Sequence, residues 1–131
     1  MAIIEDAIFA RLSTDSGLTA LVSTRIYPMK LPDTTAYPAI TYQCIDKIPA
    51  SALGTASTCF AARFQFDCWG KTMSAVKNLA NKLRNSLDAL DTTLSGIRIY
   101  GIVYLGEFDT YEADTELYRI SSDFKIMFTQ T

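Results

Sequence analysis

The chain contains no histidine. Ser-His and Cys-His nucleophile pairs, histidine general bases and histidine-bearing zinc sites are therefore excluded together. Charge is also scarce, at 20% of 131 residues against 49% hydrophobic, with a net charge of −2. The pI is near 5.0 and the mean hydropathy is +0.12. Such a chain lacks the broad basic surface that sequence-independent phosphate binding requires, and it is too apolar for intrinsic disorder. The three cysteines, Cys44, Cys59 and Cys68, are odd in number and have no CxxC spacing, which predicts reduced, mostly buried thiols and no zinc ribbon. The stretch MAIIEDAIFARL has acids among its apolar residues and no basic flank. It predicts no signal peptide, and no run is long enough to span a bilayer, so a soluble, cytoplasmic chain with no membrane partner is expected. GxSxG, P-loop, GxGxxG and HExxH motifs are all missing, so no catalytic residue, cofactor or metal site is predicted and the chain is not expected to be an enzyme.

What is present suits one domain over residues 1–131, since a chain of this size buries roughly two-thirds of its unfolded surface. Its apolar surplus exceeds what a lone monomer needs and points to a subunit of an assembly. From residue 2 to about 14, Ile4, Ile8 and Leu12 recur four apart, predicting an amphipathic helix. Asp15-Ser16-Gly17 then ends it, and Leu18–Val22 predicts one further short turn. A brief strand over 25–27 precedes a loop holding three of the four prolines. Alternation predicts strands over 39–48 and 60–69, joined by a long hairpin whose tip, PASALGTAST, is small and uncharged. Leu53, Gly54 and Thr55 in that tip are candidate partner contacts. Thr72 caps a predicted helix to about residue 90, in which Val76, Leu79, Ala80, Leu83, Leu87 and Leu90 keep one apolar face. Strands follow over 96–105 and 117–129.

This order predicts an α+β fold: a single antiparallel-dominated β-sheet with two main helices packed on one face. In the strand over 96–105, plain alternation puts Arg98, Tyr100, Ile102 and Tyr104 on one side. Together with Arg63, Gln65 and Trp69 they are the candidate subunit-contact residues. Divided after residue 90, the chain has nine basic and seven acidic residues before and three basic and seven acidic after. The excess lies between Gly106 and Glu116, which reads as an acidic loop. Glu107, Asp109, Tyr111, Glu112 and Asp114 are its candidate contact residues, lining a lumen or meeting an axial partner. The spacing of these acids lacks the turn glycine and regular ligand positions of an EF-hand.

The segments LTALVSTRIYPMKLP, YPAITYQ, ARFQFDCWGKTMSAVKNLANKLRNSL and YEADTELYRISSDFKIMF occur in an order and spacing that resemble the tail completion or tail terminator proteins of long-tailed bacteriophages and prophages. That resemblance spans nearly the whole chain. It implies a virion structural protein in the tail or neck, assembled in the host cytoplasm, that forms a ring, usually a hexamer, at the head-proximal end of the tail tube. Such a ring stops tube polymerisation and docks onto the head connector. The implied partners are other copies of the chain, the tail tube protein and the head connector or stopper protein, with DNA only as passing cargo. Alternatives are another neck protein, such as a connector adaptor or stopper, and, from a different class, a small ligand- or metal-binding domain.

Overall fold

The computed structural model describes residues 3–49 and 59–129. In chain order the elements are α1 (Ile4–Thr14), α2 (Ser16–Val22), β1 (Ile26–Pro28), β2 (Ala39–Pro49), β3 (Cys59–Gly70), α3 (Met73–Leu87), β4 (Thr92–Leu94), β5 (Ile97–Glu112) and β6 (Leu117–Thr129). The strands form one sheet in the order β1-β2-β3-β6-β5-β4. β1 and β2 are parallel and the other four pairings are antiparallel. The α+β class is as expected, but the sheet is mixed and curls into a half-barrel.

Local chemistry explains most of these boundaries. The Asp15 carboxylate accepts from the backbone N–H groups of Gly17 and Leu18 at 2.9 and 3.2 Å, so the residue that ends α1 also caps α2. The expected short turn is thereby a two-turn helix. Thr72 Oγ1 accepts from the Ala75 N–H at 3.2 Å and starts α3. α3 ends at Leu87, earlier than its apolar repeat suggests, because Ala89 takes a positive φ of 61° and donates its N–H to the Ile102 carbonyl. β4 has no counterpart in the sequence reading. Ser95 and Gly96, with φ of 51° and 80°, form the two-residue turn that folds Leu94 back against Ile97, the backbone geometry for which hairpins select glycine.

One set of alternate strand residues joins the helices in a single core. Phe64, Phe66 and Cys68 from β3 and Ile120, Phe124, Ile126 and Phe128 from β6 are fully buried. They share one cluster with Ile8 and Leu12 of α1, Leu18 of α2, and Val76, Leu79 and Leu83 of α3. Gly70, where β3 leaves this layer, lies so close to α3 that an added Cβ would sit 2.7 Å from Val76 Cγ1. Glycine is required there by that close approach.

β5 departs furthest from the sequence reading. It continues through Gly106 to Glu112, so most of the expected acidic loop is strand, and only Ala113–Glu116 form the turn into β6. Two bulges interrupt its register with β6, between Ile99 and Gly101 and between Tyr104 and Gly106. Each inserts one residue and reverses the alternation. Ile102 and Tyr104 consequently share the helix side with Ile97 and Ile99.

Candidate subunit interface

The sheet surface away from the helices is built from cross-strand rows. Ile48, Ala61, Met127 and Gly101 form one row, followed by Asp46, Arg63, Lys125 and Val103. Next come Gln43, Gln65, Asp123 and Gly106, then Thr41, Asp67, Ser121 and Phe108, and finally Ala39, Trp69, Arg119 and Thr110. Because the sheet curls, residues from non-adjacent strands line common hollows. Ile48, Pro49, Ala61 and Leu105, with Asp46, Arg63 and Lys125 around them, line a hollow of about 300 Å³. At the opposite end Met29–Asp33 and Tyr37 face Trp69, Glu112 and Arg119 across a hollow of about 500 Å³.

The two ends differ in chemistry. The first is apolar and uncovered: Ile48 is 58% exposed, Leu105 50%, Val103 46% and Met127 37%. In the middle, Arg63 Nη2 donates to Asp123 Oδ2 at 2.5 Å and Gln65 donates to Asp67 at 3.1 Å. That bond and the facing carboxylate of Asp123 raise the Arg63 pKa. At the second end Trp69 Nε1 donates to Thr41 Oγ1 at 3.0 Å while the Arg119 guanidinium lies over the indole, 5.1 Å from its centroid. Arg119 also approaches Glu112 at 3.6 Å. The indole face and the Glu112 carboxylate together hold this cation over the sheet.

The seven residues expected to share a contact face are divided. Arg63, Gln65 and Trp69 lie on the open face, and Arg98 pairs with Thr129 in the same alternation. Tyr100 occupies a bulge, is exposed, and carries the Arg98 guanidinium 4.9 Å from its ring centroid. Ile102 is instead buried in the core, and the Tyr104 ring packs 5.4 Å from that of Phe124 on the helix side. The bulge between Ile99 and Gly101 is the cause, because plain alternation carried through it inverts the faces beyond. Sequence reasoning missed Ile48, Val103, Leu105 and Met127 as an apolar group. Only the cross-strand register brings them together.

The acidic candidates are divided in the same way. Glu107 and Asp109 lie on the helix side, where Lys77 Nζ approaches them at 3.8 and 2.9 Å. Tyr104 Oη donates to Glu107 Oε1 at 2.8 Å, and burial with this bond pushes the phenol up to about 12. Tyr111 packs on Tyr118 with centroids 4.9 Å apart. Asp114 lies exposed in the turn. The hairpin-tip candidates Leu53, Gly54 and Thr55 lie outside the described residues.

Two of the three thiols are shielded from ionisation. Cys68 is buried, and burial pushes its thiol well above the ordinary range; burial raises that of Cys44 as well. Neither thiol is activated as a nucleophile. Among the described residues no three of histidine, cysteine, aspartate or glutamate cluster as metal ligands, and no helix is long and apolar enough to cross a membrane. This surface can hold another macromolecule through an apolar patch, a polar middle and a stacked cation.

Comparison with known proteins agrees with an assembly role. The family model for tail completion protein gp17 matches residues 6–129. A solved chain from the virion of a native gene transfer agent particle has a TM-score of 0.80 and 22% identity, over 95% of this chain and 92% of its own. A second solved structure has a TM-score of 0.65 and 13% identity, over 98% of this chain and 94% of its own. Both share the fold. No curated protein matches in sequence.

Proposed function

This chain belongs to the tail completion protein gp17 family, a family of phage tail structural proteins, and from that membership we propose that it terminates the tail tube. In this reading copies of the chain form a ring at the head-proximal end of the tube, stop its polymerisation and dock onto the head connector. The supporting observation is the open sheet face, one end of which exposes Ile48, Val103, Leu105 and Met127 from three strands, with Asp46, Arg63 and Lys125 among them. Large apolar side chains exposed together on one face, rimmed by charge, mark a contact with another macromolecule. A cyclic ring places different patches of successive subunits against each other, so each copy must offer two complementary surfaces. Arg63, Gln65, Trp69 and Arg98 belong to this face and are its polar contacts, and Tyr100 lies exposed at its margin.

Within such a ring the acidic residues keep DNA moving, because carboxylates near the axis repel phosphates. Lys77 partly neutralises Glu107 and Asp109, and Arg119 approaches Glu112, which leaves Asp114 and Glu116 in the exposed turn as the charges most available to a lumen or an axial partner. Electron microscopy of particles made without this protein tests the reading. Tails of uncontrolled length, detached from heads, are expected. Tails of normal length joined to heads overturn it.

A further inference from the structure

On both sides of the sheet a three-residue outer strand leaves most of its longer neighbour's outer edge unpaired among the described residues. β1 covers only Ile40, Thr41 and Tyr42 of β2, so from Cys44 to Pro49 no strand among the described residues pairs with the outer side of β2. β4 covers only Ile97, Arg98 and Ile99 of β5. Beyond Ile102, whose carbonyl accepts from Ala89, the edge from Val103 to Glu112 is likewise without a strand among the described residues. Native proteins guard such edges with lysine, proline or bulges. β2 carries all three, in Lys47, Pro49 and the bulge between Cys44 and Asp46, so it is guarded against a second β2 edge and accepts only a partner strand whose charge answers Lys47. From Val103 to Glu112, β5 has neither lysine nor proline, only the bulge between Tyr104 and Gly106, and it exposes Val103, Leu105, Phe108 and Tyr111.

We propose that neighbouring copies of this chain join by strand addition, the free edge of β5 in one copy pairing antiparallel with the free edge of β2 in the next. Three features select this partner. β2, β3, β6 and β5 are each antiparallel to the next, so β2 and β5 run in opposite directions. A second copy continuing the sheet in the same orientation therefore presents an antiparallel partner, and the contact is head-to-tail, the kind that closes rings. Charge argues against the symmetric arrangement of two β5 edges, because all charged residues from Val103 to Glu112 are acidic and would meet their own copies.

Side-chain alternation also fits. With Lys47 opposite Asp109 of the next copy, the antiparallel register puts Ile48 opposite Phe108 and Asp46 opposite Thr110. In each pair both residues come from the same face of the sheet. The helix side gains an ion pair beside Glu107, and the open side gains an apolar pair that extends the patch around Leu105. Asp46–Pro49, beyond the β2 bulge, lie opposite Glu107–Thr110 in this register, an edge contact of about 13 Å.

The proposal rests on the ring reading, and cross-linking in assembled particles separates the two. In a chain carrying Cys44→Ser and Cys59→Ser, Asp46→Cys is combined with Thr110→Cys, and particles are treated with diamide as the oxidant. Asp46 is exposed and Thr110 half-buried at the sheet edge, and thermal unfolding beside the parent checks that the variant folds. The double variant is expected to give a ladder of covalent multimers on non-reducing gels, while each single variant stays monomeric. Ile48→Cys with Phe108→Cys is the second pair and is expected to give the same ladder. Single variants that dimerise as readily as the double show a symmetric contact and overturn the proposal, as does a lack of multimers with both pairs. A ladder in particles whose tail length does not depend on the protein would remove the terminator role and leave the edge contact standing. Length-dependent tails with no ladder would do the reverse.

Discussion

Lys77 on α3 and Asp109 on β5, thirty-two residues apart in the chain, meet at 2.9 Å. The contact exists because β5 runs on as a strand where composition alone suggests a loop, carrying Asp109 back over the helix. The bond to Asp109 raises the Lys77 pKa above its ordinary value of 10.5. A raised lysine contributes stability that is fully present below pH 10.5 and is lost as pH rises through the folded value. Both partners are 45% exposed, so solvent screens the pair. Lys77→Met is expected to lower unfolding stability by no more than about 1 kcal/mol at neutral pH. The difference from the parent should shrink above pH 10.5, as read from urea titrations at neutral and alkaline pH.

The contrast with a core position is large. Phe64 is fully buried, its ring centroid 6.0 Å from that of Phe66, which in turn meets Phe124 edge-on at 5.5 Å. Phe64→Ala removes packing from the centre of the sheet and is expected to cost about 3–5 kcal/mol. Denaturant midpoints of the isolated subunit check this.

These two sites mark what the sequence made legible. Alternation through Phe64, Phe66 and Cys68 has one outcome because β3 pairs with β6 without a register shift. The four-residue spacing of Ile4, Ile8 and Leu12 and the apolar face of α3 likewise reappear as buried residues. β5 was illegible past Ile99, since a bulge leaves no mark in composition yet moves Ile102 and Tyr104 from the expected contact face to the helix side. The apolar group of Ile48, Val103, Leu105 and Met127 was illegible for another reason. Its members come from β2, β5 and β6, and only pairing makes them neighbours.

Gly70 offers a test of the β3-to-α3 junction. Gly70→Ala places a Cβ 2.7 Å from Val76 Cγ1, and overpacking of this kind costs about 1–3 kcal/mol. Adding Val76→Ala removes the clashing methyl groups. If the clash is the cause, the double variant loses less than the sum of the two single losses. A thermodynamic cycle on the four proteins checks the coupling.

Thiol chemistry should follow burial. Cys68 is fully buried with its pKa raised by desolvation, and burial also raises that of Cys44. A raised thiol pKa means less thiolate at neutral pH and slower alkylation. Cys68 is expected to resist iodoacetamide in the native subunit at pH 8 and to react once urea unfolds it. Cys44, half-buried, should react more slowly than a free thiol and accelerate as pH rises. Mass spectrometry of timed digests measures both.

The open face makes the most direct demand on function. Leu105 is half exposed and lines the hollow between Ile48 and Lys125, so replacing it removes little packing within the subunit. Leu105→Glu is therefore expected to leave subunit stability within about 0.5 kcal/mol of the parent. A buried carboxylate in an apolar contact has no such latitude, because it must be desolvated without a partner. Particles carrying Leu105→Glu should show detached heads and irregular tails although the subunit melts at its normal temperature. Thermal unfolding of the purified variant beside electron microscopy of the particles separates the two effects. Normal particles would show that the apolar end of this face is not part of the assembled contact.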